Sequence, residues 1–126
     1  KCKSMTDISG FGLASHLGDI CKSSNLSAKI LLNDEILINR KLKLLNLYKS
    51  TGFENNYISA SETLKIDKNH SLINILFDPQ TNGPLLMVIN EKNKDFFEKD
   101  FYKSHKIAPI LLGKFTKRKD KLIVIN

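Results

Sequence analysis

The stretch Thr6-Asp7-Ile8-Ser9-Gly10-Phe11-Gly12-Leu13 sets an acid and two glycines at the entry to an amphipathic run. In that run Leu13, Leu17, Ile20 and Cys21 recur at helical spacing. Ser9-Gly10-Phe11-Gly12 reads as a turn, and the run predicts a helix that stops near Ser23-Ser24-Asn25. Glycine lets a backbone approach a ligand closely or take a positive φ. A helix N-terminus presents free N–H groups and favours anions. A carboxylate beside such a loop suits Mg²⁺ shared between protein and phosphate oxygens. The same residues also make an ordinary helix cap, and Gly-x-Gly alone does not choose between the two. No third glycine completes a dinucleotide fingerprint, and no Gly-Lys-Ser/Thr of a P-loop occurs anywhere.

Working outward, Leu26 to Leu32 predicts a strand, and Asn33-Asp34 a cap for a second helix. The stripe of that helix would be Leu37 or Ile38, Leu42, Leu45 and Tyr48, with Gly52 ending it. The polar stretch from Asn55 to Asp67 reads as a loop with a short strand, and Asp67-Lys68-Asn69-His70 as a turn. Leu72 to Phe77 reads as a buried strand, and Leu85 to Ile89 as another. Asn90 and Glu91 lead into a helix whose Phe96, Phe97 and Phe101 are expected in the core. Ile107 to Phe115 and Leu122 to Ile125 predict two strands joined by a basic hairpin loop. Helices interspersed with strands indicate an α/β or α+β sandwich, a mixed β-sheet with helices packed on it.

The chain has 126 residues, the size of one domain, and no linker divides it. The net charge of +7 comes from lysines spread along the chain, which read as a solvated face. The dense cluster at Lys114–Lys121 lies between two apolar runs, so no nucleic-acid role is read from it. No apolar run reaches the ~18 residues of a membrane span. Two cysteines are too few for a secreted disulfide framework, which points to a reducing, cytoplasmic setting. Cys2 is expected in a loose terminus, and Cys21 as a reduced core thiol. His16, His70 and His105 lack Cys or His neighbours at ligand spacing. His16 is expected to be packed or hydrogen-bonded on the first helix. The chain starts at Lys1 and reads as a fragment or a trimmed form.

A second constellation, Phe77-Asp78-Pro79-Gln80-Thr81-Asn82-Gly83-Pro84-Leu85-Leu86, places four polar side chains in a tight loop between apolar runs. Such a loop serves either as a binding edge or as an ordinary turn.

Together the two loops resemble the motif pair of selenophosphate synthetases. That family carries Thr-Asp-Val/Ile-Thr-Gly-Phe-Gly-Leu-x-Gly-His, here Thr6 to His16, and Asp-Pro-Gln-Thr-Ser-Gly-Gly-Leu-Leu, here Asp78 to Leu86. Weaker echoes are Gly52 with Asn55 to Tyr57, and Ala108 to Gly113. The resemblance runs from about Met5 to Phe115. It implies the C-terminal α/β domain of aminoimidazole ribonucleotide synthetase-like enzymes. It also implies a reaction in which ATP, selenide and water give selenophosphate, AMP and phosphate. Asp7 would bind Mg²⁺ together with carboxylates of an N-terminal domain. Thr6, Gly10, Phe11 and Gly12 would line the phosphate cleft, and Asp78, Gln80 and Thr81 would form a cleft wall. The family's catalytic Cys or selenocysteine, its Lys and most nucleotide contacts belong to that N-terminal domain. Neither Cys2 nor Cys21 matches that cysteine, so no catalytic residue is expected in this chain and the isolated fragment is expected to be inactive. The implied partners are the N-terminal domain, ATP, selenide and, in the full enzyme, a second copy as a homodimer. Two departures stand out: Asn82 replaces Ser, and Pro84 replaces the second Gly and removes an N–H. The alternatives are another ATP-dependent kinase or synthetase of the superfamily, or a diverged, non-catalytic domain acting as an interaction module.

Overall fold

The computed structural model describes residues 2–37, 49–64 and 70–125. The elements are β1 (Cys2–Asp7), α1 (Gly12–Ser24), β2 (Leu26–Ile30), α2 (Thr51–Leu64), β3 (Leu85–Ile89), α3 (Lys94–His105), β4 (Gly113–Lys117) and β5 (Ile123–Ile125). Single 3-10 turns occupy Asp34–Ile36, Ile73–Leu76 and Glu91–Asn93. The fold is α+β, as expected: helices packed with a mixed sheet.

Helix α1 forms where the periodicity predicts it. Ala14, Leu17, Gly18 and Cys21 make its buried stripe. It ends at Asn25, whose left-handed φ of 54° turns its N–H back onto the carbonyls of Cys21 and Lys22. Asparagine tolerates that conformation better than most residues.

The apolar face of α1 meets β2, the middle strand of a three-stranded sheet ordered β4-β2-β5. β2 runs antiparallel to β4 and parallel to β5, with Ala28 opposite both Phe115 and Ile123. This corrects the expected hairpin, because β4 and β5 flank β2 and do not pair with each other. Two apolar runs close in sequence suggest a hairpin, but buried β2 has two edges whose N–H and C=O groups need partners. The basic segment 118–122 passes the start of β2. There the Lys119 N–H bonds Ser27 Oγ at 2.8 Å, and the Ala28 N–H bonds the Leu122 carbonyl at 2.7 Å. The strand expected from Ile107 begins only at Gly113.

Three further expectations are corrected. The polar stretch read as a loop is α2, with Phe53, Asn56 and Ala60 buried at i, i+3 and i+7. Its stripe contains a buried asparagine and a small alanine, so the apolar signal is thin. Gly52, read as a helix end, lies in the first turn of α2 against Pro79. In Leu72 to Phe77, Leu72, Leu76 and Phe77 are buried as expected and Ile73 and Ile75 partly so, but the run forms a 3-10 turn and not a strand. Here Phe77 meets the rings of Phe53 and Tyr57 at centroid distances of 6.0 and 5.0 Å. Asn33 does act as a cap, but of the short turn Asp34–Ile36, accepting the Glu35 N–H at 2.9 Å. The stripe positions Ile38, Leu42, Leu45 and Tyr48, and the turn residues Asp67, Lys68 and Asn69, lie outside the described residues.

Helix α3 lies where expected, but its phenylalanines are not core. No residue of α3 is buried, and Phe96 is 75% exposed. Phe97, Phe101 and His105 instead stack along the helix itself. Cys2 is not in a loose end, since it pairs opposite Ile89 in β1. Cys21 is a free, buried thiol whose pKa is pushed up by desolvation. Among the described residues no helix is long and apolar enough to cross a membrane.

Candidate functional site

β1 and β3 form a separate antiparallel ribbon whose last pair is Asp7 opposite Leu85. Beyond that pair the two loops singled out in the sequence run side by side. The Ile8 N–H donates to the Pro84 carbonyl at 3.0 Å, and the Gln80 N–H to the Ser9 carbonyl at 3.2 Å. The Gly12 N–H also donates to Ser9 at 3.0 Å, which closes the turn into α1. Ile8, 4% exposed, pins the first loop to the interior.

Two glycines are required by close approach. Gly12 has φ +76°, and a Cβ there would meet the Leu76 carbonyl oxygen at 2.9 Å. A Cβ on Gly83 would overlap the Ile8 carbonyl oxygen. Pro84 contributes its carbonyl to the pairing, which is the group proline keeps; its missing N–H costs little at the entry to a strand.

Asn56 locks the loops to the core. Its Nδ2 donates to the Gly10 carbonyl at 2.8 Å and the Phe77 carbonyl at 3.0 Å, so one side chain holds a residue of each motif. His16 holds the first loop from the other side. Its Nε2 accepts the Ser9 N–H at 3.2 Å and lies 3.0 Å from Ser9 Oγ. An Nε2 that accepts an N–H carries no proton, so in the second contact the serine hydroxyl donates. His16 is thus hydrogen-bonded on α1, as expected.

Asp7 is exposed at the end of the ribbon. Thr6 lies on the opposite face, and its hydroxyl donates to the Asp7 carbonyl at 3.1 Å. Gly10 and Phe11 form the outer turn, Phe11 being 68% exposed, while Gly12 is buried beneath them. On the second loop, desolvation raises the Asp78 pKa, and the hydrogen bond from Gln80 Nε2 to Oδ2 at 2.8 Å partly offsets this. Thr81 is exposed at the tip. The structure therefore brings the two motifs into one continuous surface.

Among the described residues no group of three His, Cys, Asp or Glu side chains could hold a metal ion. Asp7 is an open hard-oxygen donor that fits one place in a Mg²⁺ shell otherwise filled by water, phosphate or other carboxylates. The residues missed as parts of the site are Asn56, His16 and Ser9. Asn56 had a faint signal in the Gly52…Asn55-Asn56-Tyr57 echo, while Ser9 and His16 lie seven residues apart within the first motif with nothing to mark that they bond to each other.

The two glycine-bearing loops, hydrogen-bonded at the end of the ribbon, sit in an α+β domain of a known class. The family described as AIR synthase related protein, C-terminal domain, matches over residues 1–125, and the chain belongs to it. Within that class the similar curated proteins are named selenide, water dikinase. The protein of Shewanella baltica (strain OS155 / ATCC BAA-1091) is 38% identical over 111 residues, covering 86% of this chain and 31% of the relative. That of Shewanella sp. (strain MR-4) is 36% identical over 110 residues, with the same coverage. That of Shewanella sp. (strain W3-18-1) is 40% identical over 87 residues, or 68% of this chain and 24% of the relative. The chain thus spans about a third of the length of the relatives that it covers best, at 31%.

Proposed function

We propose that the chain is the C-terminal domain of a selenide, water dikinase, which makes selenophosphate, AMP and phosphate from ATP, selenide and water. It forms one wall of the cleft, and an N-terminal domain supplies the nucleotide contacts and the catalytic Cys or selenocysteine with its Lys. The observation that carries this reading is the hydrogen-bonded pairing of the Asp7 and Asp78 loops. The names of the relatives support it. The same resemblance carries a cytoplasmic, homodimeric enzyme.

Phosphoryl transfer depends mainly on positioning and on neutralising charge. Mg²⁺, when bound, neutralises the phosphate oxygens. Asp7 is the residue of this chain that would hold it. The Gly10-Phe11-Gly12 turn gives phosphates close access to backbone N–H groups at the start of α1. Asn56 and His16 fix that turn so that it need not be ordered during the reaction. Asp78, Gln80 and Thr81 form the neighbouring rim. Pro84 is compatible with this role because the loop uses only its carbonyl.

In the enzyme that carries this chain, Asp7→Ala is expected to lower AMP release by at least about a hundredfold, since even outer-shell changes cost 10–100-fold at metal sites. Near-normal turnover would remove the metal-ligand role. The isolated chain is expected to bind Mg-ATP weakly or not at all. Submicromolar binding by calorimetry would put the nucleotide site wholly within this chain.

A further inference from the structure

Cross-strand partners point to the same side of a ribbon, and successive residues alternate. In the β1–β3 ribbon Met5 lies opposite Met87, and Cys2 opposite Ile89, two residues further along β3. The irregularity between Cys2 and Ser4 keeps Cys2 on the side of Ile89 and Met87, although three positions separate it from Met5. Leu86, on the other side, packs against the hydrophobic core. Cys2, Met5 and Met87 therefore share the outer face. Cys2 is a free, exposed thiol, Met5 is 59% exposed, and Met87 is half-buried.

The chain has two cysteines and two methionines, so three of its four sulfur-bearing side chains lie on one face of one ribbon. The fourth, Cys21, is fully buried on α1. Directly opposite residues hold their Cβ atoms roughly 4.5–5.5 Å apart, so two flexible thioethers can reach a common point. The thiol lies close to the same place. Cys2 Sγ is 3.0 Å from the Ser4 carbonyl oxygen and 3.3 Å from that of Val88. Those carbonyls belong to the residues that adjoin Met5 and Met87 in their strands. Standard peptide dimensions then put Sγ within about 6 Å of the Met5 Cα.

We infer that Cys2, Met5 and Met87 form a binding site for a soft monovalent metal ion of the Cu(I) class. Thiolate and thioether donors select such ions, whereas the carboxylate of Asp7, at the other end of the same face, suits hard cations. On binding, the Cys2 thiol releases its proton to solvent, a metal–sulfur bond forms, and the sulfur leaves the two carbonyls. Each methionine donates a lone pair and loses nothing, so no electron is transferred. An ion held there ties β1 to β3. The site is independent of the reaction proposed for the chain.

The test uses the 126-residue chain without oxygen, with Ag(I) as a redox-inert probe and Cu(I) alongside it. Native mass spectrometry is expected to show one ion per chain, and X-ray absorption of the Cu(I) form three sulfur neighbours. Met5→Leu/Met87→Leu conserves volume and is expected to leave the Tm of the metal-free chain unchanged. It is expected to weaken Ag(I) binding by about tenfold or more in chelator competition, and Cys2→Ser by about a hundredfold or more, since even outer-shell changes cost 10–100-fold. Binding by the double variant as tight as by the parent, or a single sulfur neighbour, would reduce the site to an isolated thiol and overturn the proposal. Unchanged affinity in Cys2→Ser would place the ion elsewhere and overturn it too. The sulfur count is read on the unmodified chain, so it decides the matter whether or not a variant folds.

Discussion

Two regions of this molecule follow opposite rules. In one, α1, α2, the 3-10 turn Ile73–Leu76 and the β4-β2-β5 sheet share a closed core that includes Leu17, Cys21, Ile30, Phe53, Leu76, Phe77 and Ile123. In the other, the β1–β3 ribbon and α3 expose Met5, Leu85, Phe96 and Tyr102. The chain's stability resides in the first region. The second, together with the loops at its seam, carries the candidate site and an uncovered face. The large exposed apolar residues of this region are thus grouped on two elements, where the first region keeps most of its own inside.

The most direct way to break this contrast is a pair of phenylalanines. Phe77→Ala removes a fully buried ring from the cluster with Phe53 and Tyr57 and is expected to cost about 3–5 kcal/mol in denaturant melts. Phe96→Ala is expected to stay within about 0.5 kcal/mol. Similar losses for both would show that α3 is packed after all.

At the seam, Gly12→Ala is expected to destabilise by about 2–3 kcal/mol, combining the left-handed backbone penalty with contact against the Leu76 carbonyl. Asn56→Ala leaves the Gly10 and Phe77 carbonyls without their donor and is expected to cost about 1–3 kcal/mol. Its amide-resonance changes should concentrate at Gly10 to Gly12 and at Phe77 to Gln80. Changes confined to α2 would separate the loops from the core.

The smallest effect concerns Asp78. Burial raises its folded pKa above the unfolded value, so the folded state holds the proton more tightly. The stability that this contributes is fully present below the unfolded pKa and is lost as pH rises through the folded pKa. Near neutral pH the ionised group is a slight burden. Asp78→Asn is expected to flatten the Tm–pH curve across the acid range and to raise Tm marginally above it. An unchanged curve would mean that the carboxylate is fully hydrated.

Much of the packed region was legible because its signals are local. Leu13, Leu17 and Cys21 repeat at helical spacing, and Asn25 stops the helix. What failed was non-local or diluted. The flanking of β2 by β4 and β5 depends on which edges of β2 need partners, which no short-range pattern encodes. α2 was hidden because Asn56 and Ala60 hold core positions that periodicity expects to be large and apolar. Phe96, Phe97 and Phe101 misled in the other direction, since an apolar stripe signals burial but not whether the burying partner lies within these residues. The two loops of the candidate site were legible as motifs. Their joining was not, because it rests on backbone groups of Ile8, Ser9, Gln80 and Pro84 whose side chains carry no trace of it.

The strand order β4-β2-β5 also governs when the molecule can fold. β2 emerges early in synthesis, yet both of its neighbours come from residues 113–125. Until those residues leave the ribosome, Ala28 and Ile30 have no strand to pair with, and the apolar face of α1 has no finished sheet to cover. The nascent chain must wait with its central strand unsatisfied on both edges. Contacts that span such sequence distances fold slowly and leave strands open to wrong partners in the interval. The closing of the three-stranded sheet is thus a late event, whereas the contacts that hold the ribbon bearing Asp7 and its loops lie within residues 2–89 and do not wait for it.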